Sequence, residues 1–193
     1  MISIPTGSII IFDTEYTTWE GAQERKWSGE NEYRELVQIA AQKVDMDNEE
    51  VLGQYSELVV PRINSQLSDF FTELTHITQA QLDEGGRDFA EVYPEFIEWC
   101  ADAHIYSYGS SKKSDGTILE ENIELYQLDL PYNDEVYHNL RPLFQEAGID
   151  VTQYTSGELF RAFDLDIGGH VHNAMHDVNS LTQSLFALKQ RLK

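Results

Sequence analysis

The chain has 193 residues, 41% of them hydrophobic, with 34 acidic against 13 basic side chains and a formal net charge of −21. This length suits a single domain spanning residues 1–193 with a sizeable core, and no run of about 18 apolar residues is present to make a membrane span. The charge disfavours a nucleic-acid partner, whose phosphates repel a negative surface, unless some of the acids hold divalent cations that reverse the local field.

Taken in chain order, Met1-Ile2-Ser3-Ile4-Pro5-Thr6-Gly7 lacks the charged front and small-residue cleavage site of a signal peptide. Gly7 to Phe12 is a β-branched run that predicts a buried strand with Asp13 at its C-terminal end. Leu36 to Val44 and Gln54 to Val60 flank the polar turn Asp45 to Glu50 and predict a hairpin whose second arm stops at Pro61. From Ser68 the apolar period becomes helical. Ser68 is placed to cap a helix beginning at Asp69, and Thr78 to cap a second one through Leu82.

Phe89, Val92, Tyr93, Phe96, Ile97 and Cys100 recur at helical spacing and predict a longer helix with one face against a sheet. Cys100 is the only cysteine, so it reads as core, no internal disulfide can form, and a reducing cytoplasmic setting is expected. His104 to Tyr108 predicts a fourth strand and Ile118 to Tyr126 a helix. The stretch from Tyr137 predicts a fifth short strand followed by a helical turn at Pro142. Helices over Ser156 to Phe163 and from about Asn173 to Leu192 close the chain, separated by Gly168-Gly169. This order, without repeats, predicts an α/β sandwich with a mixed sheet of about five strands.

Two acidic motifs carry the chemistry. In Asp13-Thr14-Glu15, strand alternation puts both carboxylates on one side of a rigid element, where they can share a metal cluster. Asp47-Asn48-Glu49 has the same spacing but lies in a hydrophilic turn and reads as solvated surface. The second motif is His172-Asn173-Ala174-Met175-His176-Asp177. Five helical residues turn through about 500°, so His172 and Asp177 diverge unless His172 precedes the helix. Gly168-Gly169 permits that, leaving His172 to reach a water while Asp177 reaches a metal. His170 and His176 have the wrong offset to Asp177 and read as surface or supporting residues. A zinc site on His170 and His172 lacks a third ligand with matching spacing. Carboxylates from both ends of the chain point to a two-metal phosphodiesterase site with Mg²⁺ or Mn²⁺, and the imidazole of His172 is suited to take a proton from water near neutral pH.

These motifs resemble those of the DEDD superfamily of 3′-5′ exonucleases, in the histidine-bearing branch that includes RNase T, polymerase proofreading subunits and the Eri-like exoribonucleases, the last being the nearest fit. Asp13 and Glu15 match the first motif, and His172 and Asp177 the third. Glu35 to Ala41 is similar to the second strand of that family, and Leu67 to Thr78 to its Leu-Thr-Gly-Ile-Thr segment. The resemblance covers nearly the whole chain. It implies an RNase H-like fold and a fourth carboxylate soon after the fourth strand, for which Asp115 is preferred. Asp102 precedes that strand, and Glu120 and Glu121 read as the solvated face of a helix.

The resemblance further implies an enzyme that uses two divalent cations, held by Asp13, Glu15, Asp115 and Asp177, with His172 as base. It would trim single-stranded ends, RNA rather than DNA, to nucleoside 5′-monophosphates. It places Leu74, Thr75 and Ile77 where the family grips the terminal nucleotide, with Tyr16 and Thr17 continuing the first motif. Phe71, Tyr16, Trp19 and Trp27 are candidates for base stacking, although most aromatic residues belong to cores. Arg25-Lys26 and Lys112-Lys113 are either solvated loops or the chain's phosphate contacts. DNA or very short oligonucleotides are alternative substrates, and an inactive, acidic protein-binding member of the fold is the alternative of another class. Oligomeric state is not legible.

Overall fold

The computed structural model describes residues 2–193; Met1, which opens the segment lacking signal-peptide features, lies outside them. Strand β1 (Ser8–Tyr16) occupies the middle of a five-stranded sheet ordered β3-β2-β1-β4-β5. Strands β2 (Leu36–Asp45) and β3 (Glu50–Leu58) form the expected hairpin and lie antiparallel beside β1. Strands β4 (Ile105–Ser107) and β5 (Tyr137–Asn139) are short and run parallel to β1 on its other side. The sheet is therefore mixed, as the order of apolar runs predicts.

Strand β1 continues past its apolar run through Asp13, Thr14 and Glu15 to Tyr16, because β2 pairs along its whole length, with Asp13 opposite Ala40 and Glu15 opposite Gln38. The two carboxylates thus sit on a rigid strand, as their alternation predicts.

Alternation along β1 divides the core. Ile9 and Ile11 pack with Val44, Leu181 and Leu185 under helix α6 (Ala174–Arg191). Ile10 and Phe12 pack on the opposite face with Val92, Phe96 and Cys100 of helix α3 (Phe89–Cys100). Cys100 lies in the core as its spacing predicts, and burial pushes its thiol up to about 12. Helices α1 (Asp69–Thr75) and α2 (Gln79–Gly85) begin at the expected caps, with Ser68 Oγ accepting from Phe71 N at 3.0 Å and Thr78 and Gln81 forming a reciprocal capping box. Helix α5 (Arg141–Glu146) carries Pro142 in its first turn. Ser156–Phe163, expected as a helix, is wound as 3₁₀ turns packed along α6. No helix among the described residues is long and apolar enough to cross a membrane.

Helix α4 (Gly116–Leu125) is locked to the start of β2 by one side chain. Asn122 is fully buried. Its Oδ1 accepts from Leu36 N at 2.9 Å, while Nδ2 donates to Arg34 O and Ile118 O, each at 2.8 Å. Beside it, the buried Glu35 carboxylate accepts from Ile63 N, Asn64 N and the Tyr126 hydroxyl at 2.6–2.8 Å, so its charge is committed to holding the loop after β3. Replacing Asn122 with Ala leaves the Leu36 N–H and the Arg34 carbonyl without partners. We expect a loss of about 2–4 kcal/mol of stability, measured by urea denaturation, and a smaller loss for Asn122→Asp, which retains the acceptor for Leu36 N.

Candidate active site

The C-terminal end of β1 opens into a cavity of about 360 Å³ lined by Asp13, Glu15, Asp115, His172 and Asp177. The five residues come from β1, the start of α4, the loop before α6 and the first turn of α6. Ligand atoms of Asp13, Glu15 and Asp177 lie within 4.8 Å of one another, and this is the one grouping of three or more His, Cys, Asp or Glu ligands among the described residues.

Each acid has a distinct mooring. Asp177 accepts from Ser156 Oγ at 2.8 Å and from His172 N at 3.2 Å. Asp115 stands outside the close triad: its Oδ1 accepts from Thr14 N and Thr14 Oγ1 at 3.2 and 2.7 Å, and its Oδ2 from Ser114 Oγ at 3.0 Å. Thr14 points to the α4 side of β1, between two carboxylates aimed the other way, so the strand itself joins Asp115 to the triad.

Burial raises the carboxyl pKa of Asp13 well above its usual value, and the charges of Asp115, Asp177 and Glu15 add to that effect. Glu15 is likewise raised well above normal by burial and by Asp177 and Asp115. Asp115 and Asp177 are raised by burial, partly offset by hydrogen bonds from Thr14 and Ser156 respectively. The Tyr16 hydroxyl is pushed up to about 12, chiefly by burial. Such a cluster is unfavourable when fully ionised and matches the needs of a divalent cation, which takes carboxylate oxygens and cancels their repulsion.

His172 precedes α6, as the helical geometry requires, in a left-handed backbone conformation (φ 66°). That conformation is uncommon for a non-glycine residue, and its backbone N–H is used on Asp177. The imidazole lines the cavity and makes no hydrogen bond among the described residues. Gly168 and Gly169, both at positive φ, turn the chain into this segment, and a Cβ on Gly169 would meet the His176 ring at 2.5 Å. Gly157 has a related role. A Cβ there would come within 2.3 Å of Asp177 Oδ1, so only glycine admits the carboxylate.

The other sequence candidates divide. Tyr16, Phe71, Leu74 and Thr75 line the cavity; Trp27 does too, and Trp19 does not. Phe71 is buried while its neighbour Phe70 is exposed. Thr17 and Ile77 do not reach the cavity. Thr17 Oγ1 donates to Tyr33 O at 2.5 Å and accepts from Glu35 N at 3.0 Å, tying down the chain before β2. Ile77 packs in a small core with Val37, Phe71 and Leu82, because the turn after α1 directs it inward. His170 contacts Leu74 O at 3.2 Å and stacks on His76, while His176 contacts Gly157 O at 3.0 Å. Neither makes a metal grouping with His172.

Of the basic pairs, Arg25 is held by Glu32, with Nε 2.9 Å from Oε2, and Lys113 by Glu120 and Asp134 at 2.7 and 2.5 Å. Lys26 and Lys112 are also absent from the cavity lining, which includes one basic residue besides His172, namely Arg34. Arg34 and Ser156 escaped the sequence reading. Arg34 carries only the weak signal of a charge directly before an apolar strand, and Ser156 that of a possible helix cap. Asp47-x-Glu49 lies far from the cavity, where Glu49 pairs with Lys193 at 2.8 Å.

A family model described as an exonuclease matches residues 10–185. ERI1 exoribonuclease 2 of Xenopus laevis is 34% identical over 77 residues, which is 40% of this chain and 10% of that protein. The 3′-5′ exoribonuclease 1 of Rattus norvegicus is 24% identical over 184 residues, covering 91% of this chain and 51% of that protein. The chain thus spans about a tenth and about half of the length of these curated relatives. Among solved structures, the nuclease domain of 3′hExo, described as a DEDDh family member bound to rAMP, superposes with a TM-score of 0.80 at 22% identity, over 96% of this chain and 93% of that one. The fold is therefore RNase H-like.

The raised carboxyl pKa values have a stability consequence. A group that binds its proton more tightly in the folded state stabilises the fold at low pH and loses that contribution as pH rises through its folded pKa. Without divalent cations, Asp13→Asn should raise the Tm at pH 7.5 by about 2–6 °C, and the gap should close towards pH 4. Mn²⁺ at 100 times its Kd should stabilise wild type by about 2.7 kcal/mol and Asp13→Asn by much less. Thermal melts in chelator and in Mn²⁺ check both signs.

Proposed function

Since the chain belongs to the exonuclease family, we propose that it is a metal-dependent 3′-5′ exonuclease of the histidine-bearing branch, that residues 1–193 form one catalytic domain, and that it trims single-stranded 3′ ends to nucleoside 5′-monophosphates. The observation that carries this reading is the buried grouping of Asp13, Glu15 and Asp177 with His172 beside it in one cavity. Asp13, Glu15 and Asp177 would hold divalent cations, Mg²⁺ or Mn²⁺, with Asp115 completing the set. Bound there, two such ions supply charge neutralisation, a more acidic water and stabilisation of the leaving 3′-oxygen.

The chain's own residues perform the rest. His172 faces the cavity with an unengaged imidazole and accepts the proton of the attacking water. Its backbone N–H on Asp177 fixes where that imidazole stands relative to the acids. Thr14 and Ser114 orient Asp115, and Ser156 orients Asp177, so the carboxylates do not rearrange during the reaction. Phe71 and Leu74 offer an apolar wall for the terminal base and Thr75 a hydroxyl beside it. RNA as substrate is supported by the two curated relatives named as exoribonucleases and by the rAMP in the 3′hExo structure. Very short oligonucleotides are a second reading, favoured by the presence of Arg34 as the one arginine or lysine lining the cavity. The free, buried Cys100 thiol accords with a reducing cytoplasmic setting.

RNA and DNA oligomers labelled at either end, incubated with Mn²⁺, test the reading. Wild type should shorten both from the 3′ end, RNA faster, and release 5′-monophosphates. Asp13→Ala should be inactive, and His172→Ala should lower kcat by about 10²–10⁴-fold with little change in KM. No degradation of any oligomer would overturn it.

A further inference from the structure

His172 stands on a short segment between two ends of different character. Its backbone N–H on Asp177 at 3.2 Å pins one end. The other end is Gly168-Gly169, exposed and at φ 60° and 89°, where nothing lies within 4 Å of the place a Cβ would take on Gly168. Between them, His170 reaches α1. Its Nε2 lies 3.2 Å from Leu74 O, and its ring lies flat on that of His76, with centroids 3.6 Å apart and planes 8° from parallel.

Burial does not explain this contact, because both histidines are exposed and no core presses them together. Leu74 O is in the last turn of α1, where carbonyls run out of helical donors. Thr78 N, four residues on, is turned onto Gln81 Oε1 at 2.8 Å, so the His170 ring caps that carbonyl instead. A carbonyl only accepts, which puts the His170 proton on Nε2. His76 is the C-cap of α1 at φ 62°, in the left-handed region where glycine is usual and a Cβ is unfavourable. Here an imidazole takes the place and covers the face of His170.

The turn so capped is part of the cavity. Leu74 and Thr75 line it, and Thr75 is buried with Oγ1 donating to Phe71 O at 2.9 Å, which makes the end of α1 a firm support. At the rear, the His176 ring contacts Gly157 O at 3.0 Å and fills the space beside Gly169, so movement of the segment toward α6 is blocked. We propose that His76 and His170 form a clasp that positions His172. Stacked on the end of α1, they hold the segment so that the imidazole two residues on faces the acids, and without them it pivots at Gly168. That the imidazole so held takes a proton from water rests on the exonuclease reading; the clasp itself does not.

Steady-state kinetics on an RNA oligomer with saturating Mn²⁺ separate positioning from mere support of α1. His170→Ala and His76→Ala should each lower kcat by about 10–100-fold, the scale of a misplaced reacting group, and leave KM within about twofold. His76→Phe, which keeps a flat ring, should restore most of kcat. In a His172→Ala background, His170→Ala should cost less than about twofold, because there is no longer an imidazole to position. An equal loss of kcat in both backgrounds, a rise in KM with kcat unchanged, or unaltered kinetics overturns the clasp.

Should wild type cleave no oligomer, the exonuclease reading fails and the clasp is judged by the histidine ring-proton resonances of the protein alone. His170→Ala should move those of His76, which lose the ring current of the stack, and also those of His172. Unmoved His172 resonances overturn the proposal.

Discussion

Carboxylates that repel one another are buried together at the end of the central strand, and much of the surrounding structure is arranged to hold them there. Asp13 and Glu15 are fixed by the β1–β2 ladder, Asp115 by the backbone and hydroxyl of Thr14, and Asp177 by Ser156 and the His172 N–H. Removing these charges from water raises every carboxyl pKa in the group. A fold that only needed stability would place apolar side chains here. The arrangement is understandable if a divalent cation supplies the missing positive charge.

On the proposed exonuclease reading, the same constraint accounts for a net charge of −21 that would otherwise oppose a nucleic-acid partner. Arg25 and Lys113 are neutralised by neighbouring acids and organise loops. Arg34 lines the cavity beside the acids, already partnered by Glu121. Attraction for a phosphate would then come from a divalent cation held by the acids. The protein surface contributes little, which fits recognition of a few nucleotides at an end better than tracking along a strand.

Much of this was legible because it depends on short-range periodicity. The β-branched run before Asp13, the helical period from Phe89 to Cys100 and the caps at Ser68 and Thr78 are local signals, and the elements form where those signals place them. Helical rotation requires His172 to precede α6, and it does. What escaped was set by distant partners. Ile77 turns into the core, and Thr17 closes on Tyr33 and Glu35, because of neighbours far from them in sequence. Ser156 was not recognisable as a partner of Asp177 until the 3₁₀ segment was laid along α6, and Arg34 needed the fold of the preceding loop to bring it beside Tyr16 and Trp27.

All of this depends on the buried acids forming a cation site around which the rest of the cavity is organised. Crystals soaked with Mn²⁺ and 5′-AMP, measured at the manganese absorption edge, test it most directly. Anomalous peaks are expected in contact with the Asp13, Glu15 and Asp177 carboxylates, with the nucleotide phosphate beside them and within reach of His172. Manganese bound elsewhere with this cluster empty, or a nucleotide seated away from it, would contradict it.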